Sequence, residues 1–209
     1  MTTLALTRFT AVNALGRDGA AVFDALAARR TGLRPCAFEA VTLETYVGEV
    51  AGVDDLPVTE RLAEFDCRNN RLAQLALDTD GFAPAVAAAR EKYGARRVAV
   101  VVGTSTSGML ETEHAYRRLD PATGALPAGF RYATTHNLYG LADFVCRYLD
   151  LAGPAATVST ACSSSAKVFA SASRLMALGL ADAVVVGGVD TLCRNTLYGF
   201  ASLDLVGRE

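Results

Sequence analysis

The chain has 209 residues, 51% of them hydrophobic, and a formal charge of −2. That is enough apolar material for a globular core, and the near-neutral balance without a Lys/Arg run excludes nucleic acid and membrane surfaces as partners. Residues 1–8 lack a basic region followed by an apolar stretch, and no apolar run approaches the roughly 20 residues that span a bilayer, so a soluble, cytoplasmic protein is expected.

In chain order, residues 4–12 read as a first strand. An amphipathic helix follows over residues 18–30, with Val22 and Leu26 facing inward. Residues 31–57, with Gly32, Pro35, Gly48 and Gly52, read as irregular. Helices are predicted over 68–77 and 82–93. The apolar run 97–102, ending at Gly103, has the pattern of a parallel strand buried on both faces, and 183–186, ending at Gly187-Gly188, is a second. Between them lie helices over 109–119 and 138–151, the latter with Leu138, Leu141, Val145 and Tyr148 on one face, and a short β-rich run at 156–160. Strands alternating with helices predict an α/β fold, a mostly parallel sheet flanked by helices.

Five cysteines, at positions 36, 67, 146, 162 and 193, are an odd number without metal-ligand spacing, and the only histidines are His114 and His136. Structural zinc and a disulfide framework are therefore not expected, and no cofactor is implied. Four of the cysteines read as small buried hydrophobes. Cys162 differs: it lies between the run 156–160 and a helix-forming run over 163–179. A thiol at such a strand-to-helix turn faces unpaired backbone N–H groups and the positive end of the helix dipole, which favour the thiolate, a nucleophile suited to acyl transfer.

The helix over 163–179 is unusual in another respect. Its charged residues, Lys167 and Arg174, are seven apart and share one side; the rest is Ala, Ser, Val, Phe, Leu and Met all round. A helix of that composition is buried on every side, which requires a second layered unit against it.

Val158-Ser159-Thr160-Ala161-Cys162-Ser163-Ser164-Ser165-Ala166, with Ala181-Asp182-Ala183-Val184-Val185-Val186-Gly187-Gly188-Val189-Asp190 downstream, resembles the β-ketoacyl-acyl-carrier-protein synthases of the thiolase superfamily. The likeness covers nearly the whole chain. It implies that residues 1–209 are the N-terminal half of a synthase about twice as long, whose two halves stack and bury helices between them. Cys162 matches the nucleophile, and its own backbone N–H one oxyanion donor. The catalytic histidines, the lysine and the second oxyanion donor of the family belong to the C-terminal half, so His114 and His136 do not inherit those roles. Thr106 matches the position that gates acyl-chain access, and Phe200 a pocket-lining aromatic. The resemblance further implies an acyl carrier protein as partner, with its acyl and malonyl thioesters, and pairing through residues 156–160, as a homodimer or a ketosynthase/chain-length-factor heterodimer. Arg68-Asn69-Asn70-Arg71 and the run 193–200 are similar to bacterial synthases associated with aryl-polyene pigments.

Other residues have simpler readings beside these. The loop Gly103-Thr104-Ser105-Thr106-Ser107-Gly108 could cradle a phosphate, yet it lacks the P-loop lysine and the dinucleotide spacing; a plain turn competes with the pocket reading. Asn137 can cap the helix after it, with His136 in packing, while His114 reads as solvated. Asp182 and Asp190 read as turn residues without chemistry. Asp143 and Arg147 form an i,i+4 pair, and Phe200 could equally be core. Two other functions fit the same residues: a non-catalytic chain-length-factor-like partner, whose relatives usually lack the cysteine, and a coenzyme A-dependent thiolase or hydrolase.

Overall fold

A computed structural model describes residues 4–207. Residues 1–3, part of the segment read for a secretory signal, and residues 208 and 209 lie outside the described residues. Among the described residues no helix is long and apolar enough to cross a membrane.

Helix α1 (Gly19–Ala27) starts where the Asp18 carboxylate accepts the Ala21 N–H at 2.7 Å. Two three-residue strands follow, β1 (Leu33–Pro35) and β2 (Tyr46–Gly48), paired antiparallel. Next come a 3-10 turn (Glu60–Phe65), α2 (Arg68–Leu77), α3 (Phe82–Tyr93), β3 (Val98–Gly103) and α4 (Met109–Tyr116). A π-turn (Tyr132–His136) leads into α5 (Tyr139–Tyr148), β4 (Ala155–Val158), α6 (Ser164–Ala177), β5 (Ala183–Gly188) and α7 (Arg194–Ser202).

The sheet has the order β4-β3-β5, all parallel, with Val100 opposite Ala155 and Val98 opposite Ala183. All six residues of β3 are buried, as a central strand covered on both faces requires. The main core joins Val98, Val100 and Val102 of β3 to Leu141, Phe144 and Val145 of α5 and to Phe65. Because the chain runs from β4 through α6 to β5 on the far side of β3, the three strands end side by side. Loops at such carboxyl ends are where open α/β sheets place their sites.

The two-sided strand, the helices at 68–77 and 82–93, and the Asp143–Arg147 pair, at 2.9 Å, match the sequence reading. Several expectations are corrected. Residues 4–12 form no strand: they run beside Val185–Val189, with which they line a groove, without ladder hydrogen bonds. Leu26 is 61% exposed, since α1 buries only its Val22/Ala25 stripe. The supposedly irregular stretch 31–57 contains the β1–β2 pair, too short to show an alternating pattern. Leu138 precedes α5 and is exposed. β5 is an edge strand with only Val185 buried, so it is not covered on both faces. Cys67, Cys146 and Cys193 are buried as expected, whereas Cys36 is half-buried at the rim of the second core cluster, around Phe38 and Leu197.

Helix α6 departs most from expectation. Only Ser164, Val168 and Ala172 are buried, while Phe169 is 46% exposed. Of the remaining small and apolar residues, Ser165, Ala166, Phe169, Ala170 and Ala177 are exposed, while Ser171, Ser173, Leu175 and Met176 are half-buried.

Candidate active site

Cys162 is exposed and stands immediately before Ser163, the N-cap of α6. The approach of α6 to the sheet requires glycine at two strand ends. A Cβ on Gly103 would lie 2.8 Å from the Ser164 carbonyl carbon, and one on Gly188 would overlap the Ser165 side chain. With both positions bare, the first turn of α6 seats on the ends of β3 and β5. The turn before it is held in an uncommon conformation: Ala161 has φ of 51°, in the left-handed region, at a cost of about 1–2 kcal/mol. Ser164 secures it, accepting the Thr160 N–H at 2.9 Å and donating to the Ala161 carbonyl at 2.6 Å.

Beside this turn lies the β3–α4 loop. Asp190, just past β5, anchors it: its Oδ1 accepts Ser105 N–H at 2.7 Å, Thr106 N–H at 2.9 Å, Thr106 Oγ1–H at 2.9 Å and Thr104 Oγ1–H at 3.1 Å. The loop donors a phosphate would need are thus already spent on a carboxylate of the chain itself, which removes the phosphate reading. Asp190 is no mere turn residue, and Asp182 forms a two-pronged ion pair with Arg97 at 2.7 and 2.9 Å. No sequence signal linked Asp190 to a loop 84 residues away.

Cys162, Thr106 and Phe200 line one cavity of about 370 Å³, together with Asp190, Leu192 and Val53. All three residues singled out in the sequence are therefore brought together. Phe200 is 41% exposed among the described residues. Glu49 and Arg68 close part of the wall, paired at 3.2 Å; neither was marked by the sequence as a cavity residue.

The remaining candidates, Arg68 apart, lie outside this cavity. His114, expected to be solvated, meets Glu39 at 2.6 Å. His136 bonds Thr112 Oγ1 through Nδ1 at 2.6 Å and packs on Tyr132, and Asn137 Oδ1 accepts the Tyr139 N–H at 3.0 Å, in line with the packing and capping readings. The Arg68–Arg71 run is spent internally: Arg68 pairs with Asp54 and Glu49, Arg71 with Asp66, and Asn69 and Asn70 are buried. Among the described residues no cluster of His, Cys, Asp and Glu is arranged to hold a metal ion.

The family model described as Beta-ketoacyl synthase, N-terminal domain, matches residues 59–209. The chain belongs to the β-ketoacyl synthase family. Over 53 residues, 25% of this chain and 13% of the relative, the synthase domain is 51% identical to 3-oxoacyl-(acyl-carrier-protein) synthase 2 of Rhizobium meliloti (strain 1021). Its fold is thiolase-like, matching the ketosynthase ApeO solved with its chain length factor ApeC from Xenorhabdus doucetiae at TM-score 0.78 and 31% identity. That match covers 100% of this chain and 54% of the other. A β-ketoacyl synthase from Burkholderia phymatum STM815 shares the fold at TM-score 0.77 and 23% identity, over 98% of this chain and 50% of that one. The synthase domain thus spans about half the length of these solved structures. Its family is one of condensing enzymes, and it includes ketosynthases assembled with chain length factors.

Proposed function

We propose that residues 1–209 form the N-terminal half of a β-ketoacyl-acyl-carrier-protein synthase, with Cys162 as the acyl-accepting nucleophile. The observation that carries this reading is the exposed Cys162 thiol in front of α6, opening on a cavity shared with Thr106 and Phe200. In the first step the sulfur attacks the thioester carbonyl of an acyl carrier protein. The Cys162 backbone N–H stabilises the tetrahedral oxyanion, and the carrier's thiol leaves with a proton. Malonyl-carrier thioester then loses carbon dioxide, and its carbanion attacks the acyl-cysteine carbonyl, releasing the Cys162 thiolate and the lengthened β-ketoacyl thioester. Thr106 and Phe200 bound the acyl chain. The acid–base groups for decarboxylation come from the C-terminal half, so this chain alone is expected to condense nothing.

Partners follow from the same reading: an acyl carrier protein, the C-terminal half against the uncovered side of α6, and a second ketosynthase-type subunit along β4. The outer edge of β4 is unpaired among the described residues, which suits pairing of that kind. Products of the fatty-acid or polyketide type follow from the family. The aryl-polyene assignment rests on the Arg68–Arg71 and 193–200 resemblance alone.

A second reading, a non-catalytic chain-length-factor-like subunit, draws on the paired ketosynthase and chain length factor among the similar structures. Cys162 argues against it. Elongation assayed with both halves present separates the two: Cys162→Ala abolishes it on the first reading and leaves it unchanged on the second. Dependence on coenzyme A thioesters instead of carrier protein would favour a thiolase.

A further inference from the structure

Thr106 lines the cavity but its hydroxyl is fully engaged elsewhere. It donates to Asp190 Oδ1 at 2.9 Å and accepts the Thr191 N–H at 3.2 Å. With both roles of the oxygen filled, the part of Thr106 left for the cavity is its methyl group. The same Asp190 oxygen holds the backbone on either side of that methyl, through the N–H groups of Ser105 and Thr106. Thr104 is fully buried and Thr106 is 8% exposed, so their hydroxyl bonds are sheltered, although Ser105 and Asp190 are themselves exposed.

We infer that Asp190 is a specificity-determining positioning residue: by fixing the rotamer of Thr106 and the path of residues 104–106, it presents an apolar face to the acyl chain bound to Cys162. The inference rests on the acyl-transfer reading of Cys162 and adds to it the residue that sets which chains are accepted. Asp190 touches no reacting atom; it acts through Thr106. Without its carboxylate, the Thr106 hydroxyl loses its acceptor and turns toward another one, placing a polar group where an apolar chain lies. A bound chain of several carbons offers far more apolar surface to that change than an acetyl group does. Discrimination between long and short chains is the property that moves.

The test uses the synthase with both halves present and measures kcat/KM for acylation of Cys162 by decanoyl- and acetyl-pantetheine. Asp190→Ala is expected to lower the decanoyl-to-acetyl ratio by about tenfold, the scale of one methyl-sized change in an apolar pocket. Asp190→Asn keeps an oxygen acceptor of the same shape at Oδ1 and is expected to restore the wild-type ratio. Thr106→Ser keeps both hydroxyl bonds and removes only the methyl, so its ratio falls in the same direction; it carries the test if Asp190→Ala does not fold. Equal losses for the two thioesters in Asp190→Ala, or an unchanged ratio in Thr106→Ser, would overturn the inference. If wild-type Cys162 takes up neither thioester, the acyl-transfer reading itself fails; if it takes up both and the ratios do not move, only the role of Asp190 fails.

Discussion

Ser105 Oγ donates to the carbonyl oxygen of Ala161 at 3.2 Å, joining the β3–α4 loop to the turn that carries Cys162. The same carbonyl receives Ser164 Oγ, so two hydroxyl groups hold a residue whose φ of 51° is costly on its own. Cys162 is thereby placed by contacts from two directions, one local and one from a strand end far away in sequence.

Ser164→Ala removes two bonds at a site that is 1% exposed. It leaves the Thr160 N–H without its acceptor, and the expected loss of stability is about 1–3 kcal/mol. Urea unfolding measures that loss, and slower acylation of Cys162 accompanies it.

Gly103→Ala drives a Cβ to 2.8 Å from the Ser164 carbonyl carbon and 2.9 Å from the Ser165 nitrogen, both backbone atoms that cannot swing aside. A cost of about 1–3 kcal/mol in urea unfolding is expected, with α6 displaced from the strand ends. A neutral Gly103→Ala would contradict the close seating of α6.

Thiol labelling separates Cys162 from the buried cysteines. Burial pushes the Cys67 thiol up to about 12 and the Cys146 thiol up to about 11, and it raises that of Cys193 as well. These thiols stay protonated and shielded near neutrality, whereas Cys162 is exposed. Iodoacetamide at about pH 8 is expected to modify Cys162 first, read by peptide mapping, because alkylation needs an accessible thiolate. Equal labelling of all five positions would count against the site.

Asp66 ties the turn before α2 to Arg71 through two bonds of 2.7 Å. Its hydrogen bonds to Arg71 hold the carboxyl below the usual aspartate value despite partial burial. The unfolded chain therefore binds the proton at higher pH than the folded one. The stabilisation is present above the ordinary aspartate value of about 4 and is lost as pH falls through the folded one. Asp66→Asn is expected to cost about 1 kcal/mol at neutral pH, allowing for solvent screening, and to flatten the acid limb of the stability curve.

Much of this arrangement was legible in the residues. The Val98–Gly103 strand, α2 and α3 declared themselves through long apolar or amphipathic patterns, and the Thr160–Ser165 motif marked the turn that carries Cys162. Short elements escaped because three residues cannot establish a period, as in β1 and β2. Residues 4–12 are rich in apolar and β-branched residues, yet pairing is a tertiary matter that local composition does not fix. Asp190 escaped for another reason: its role depends on donors in a loop brought close only by the β3–β5 pairing. The small and apolar residues around α6 predict burial on every side, and the described residues bury only Ser164, Val168 and Ala172. The cover itself cannot come from residues 4–207, since Phe169 and its neighbours are exposed there.

The central claim is best tested by intact-mass and peptide analysis after incubating the synthase, both halves present, with an acylated carrier protein. One acyl group is expected, bound as a thioester to the peptide containing Cys162 and lost in Cys162→Ala. A stable acyl group on any other residue, or an adduct that persists in Cys162→Ala, would contradict the account.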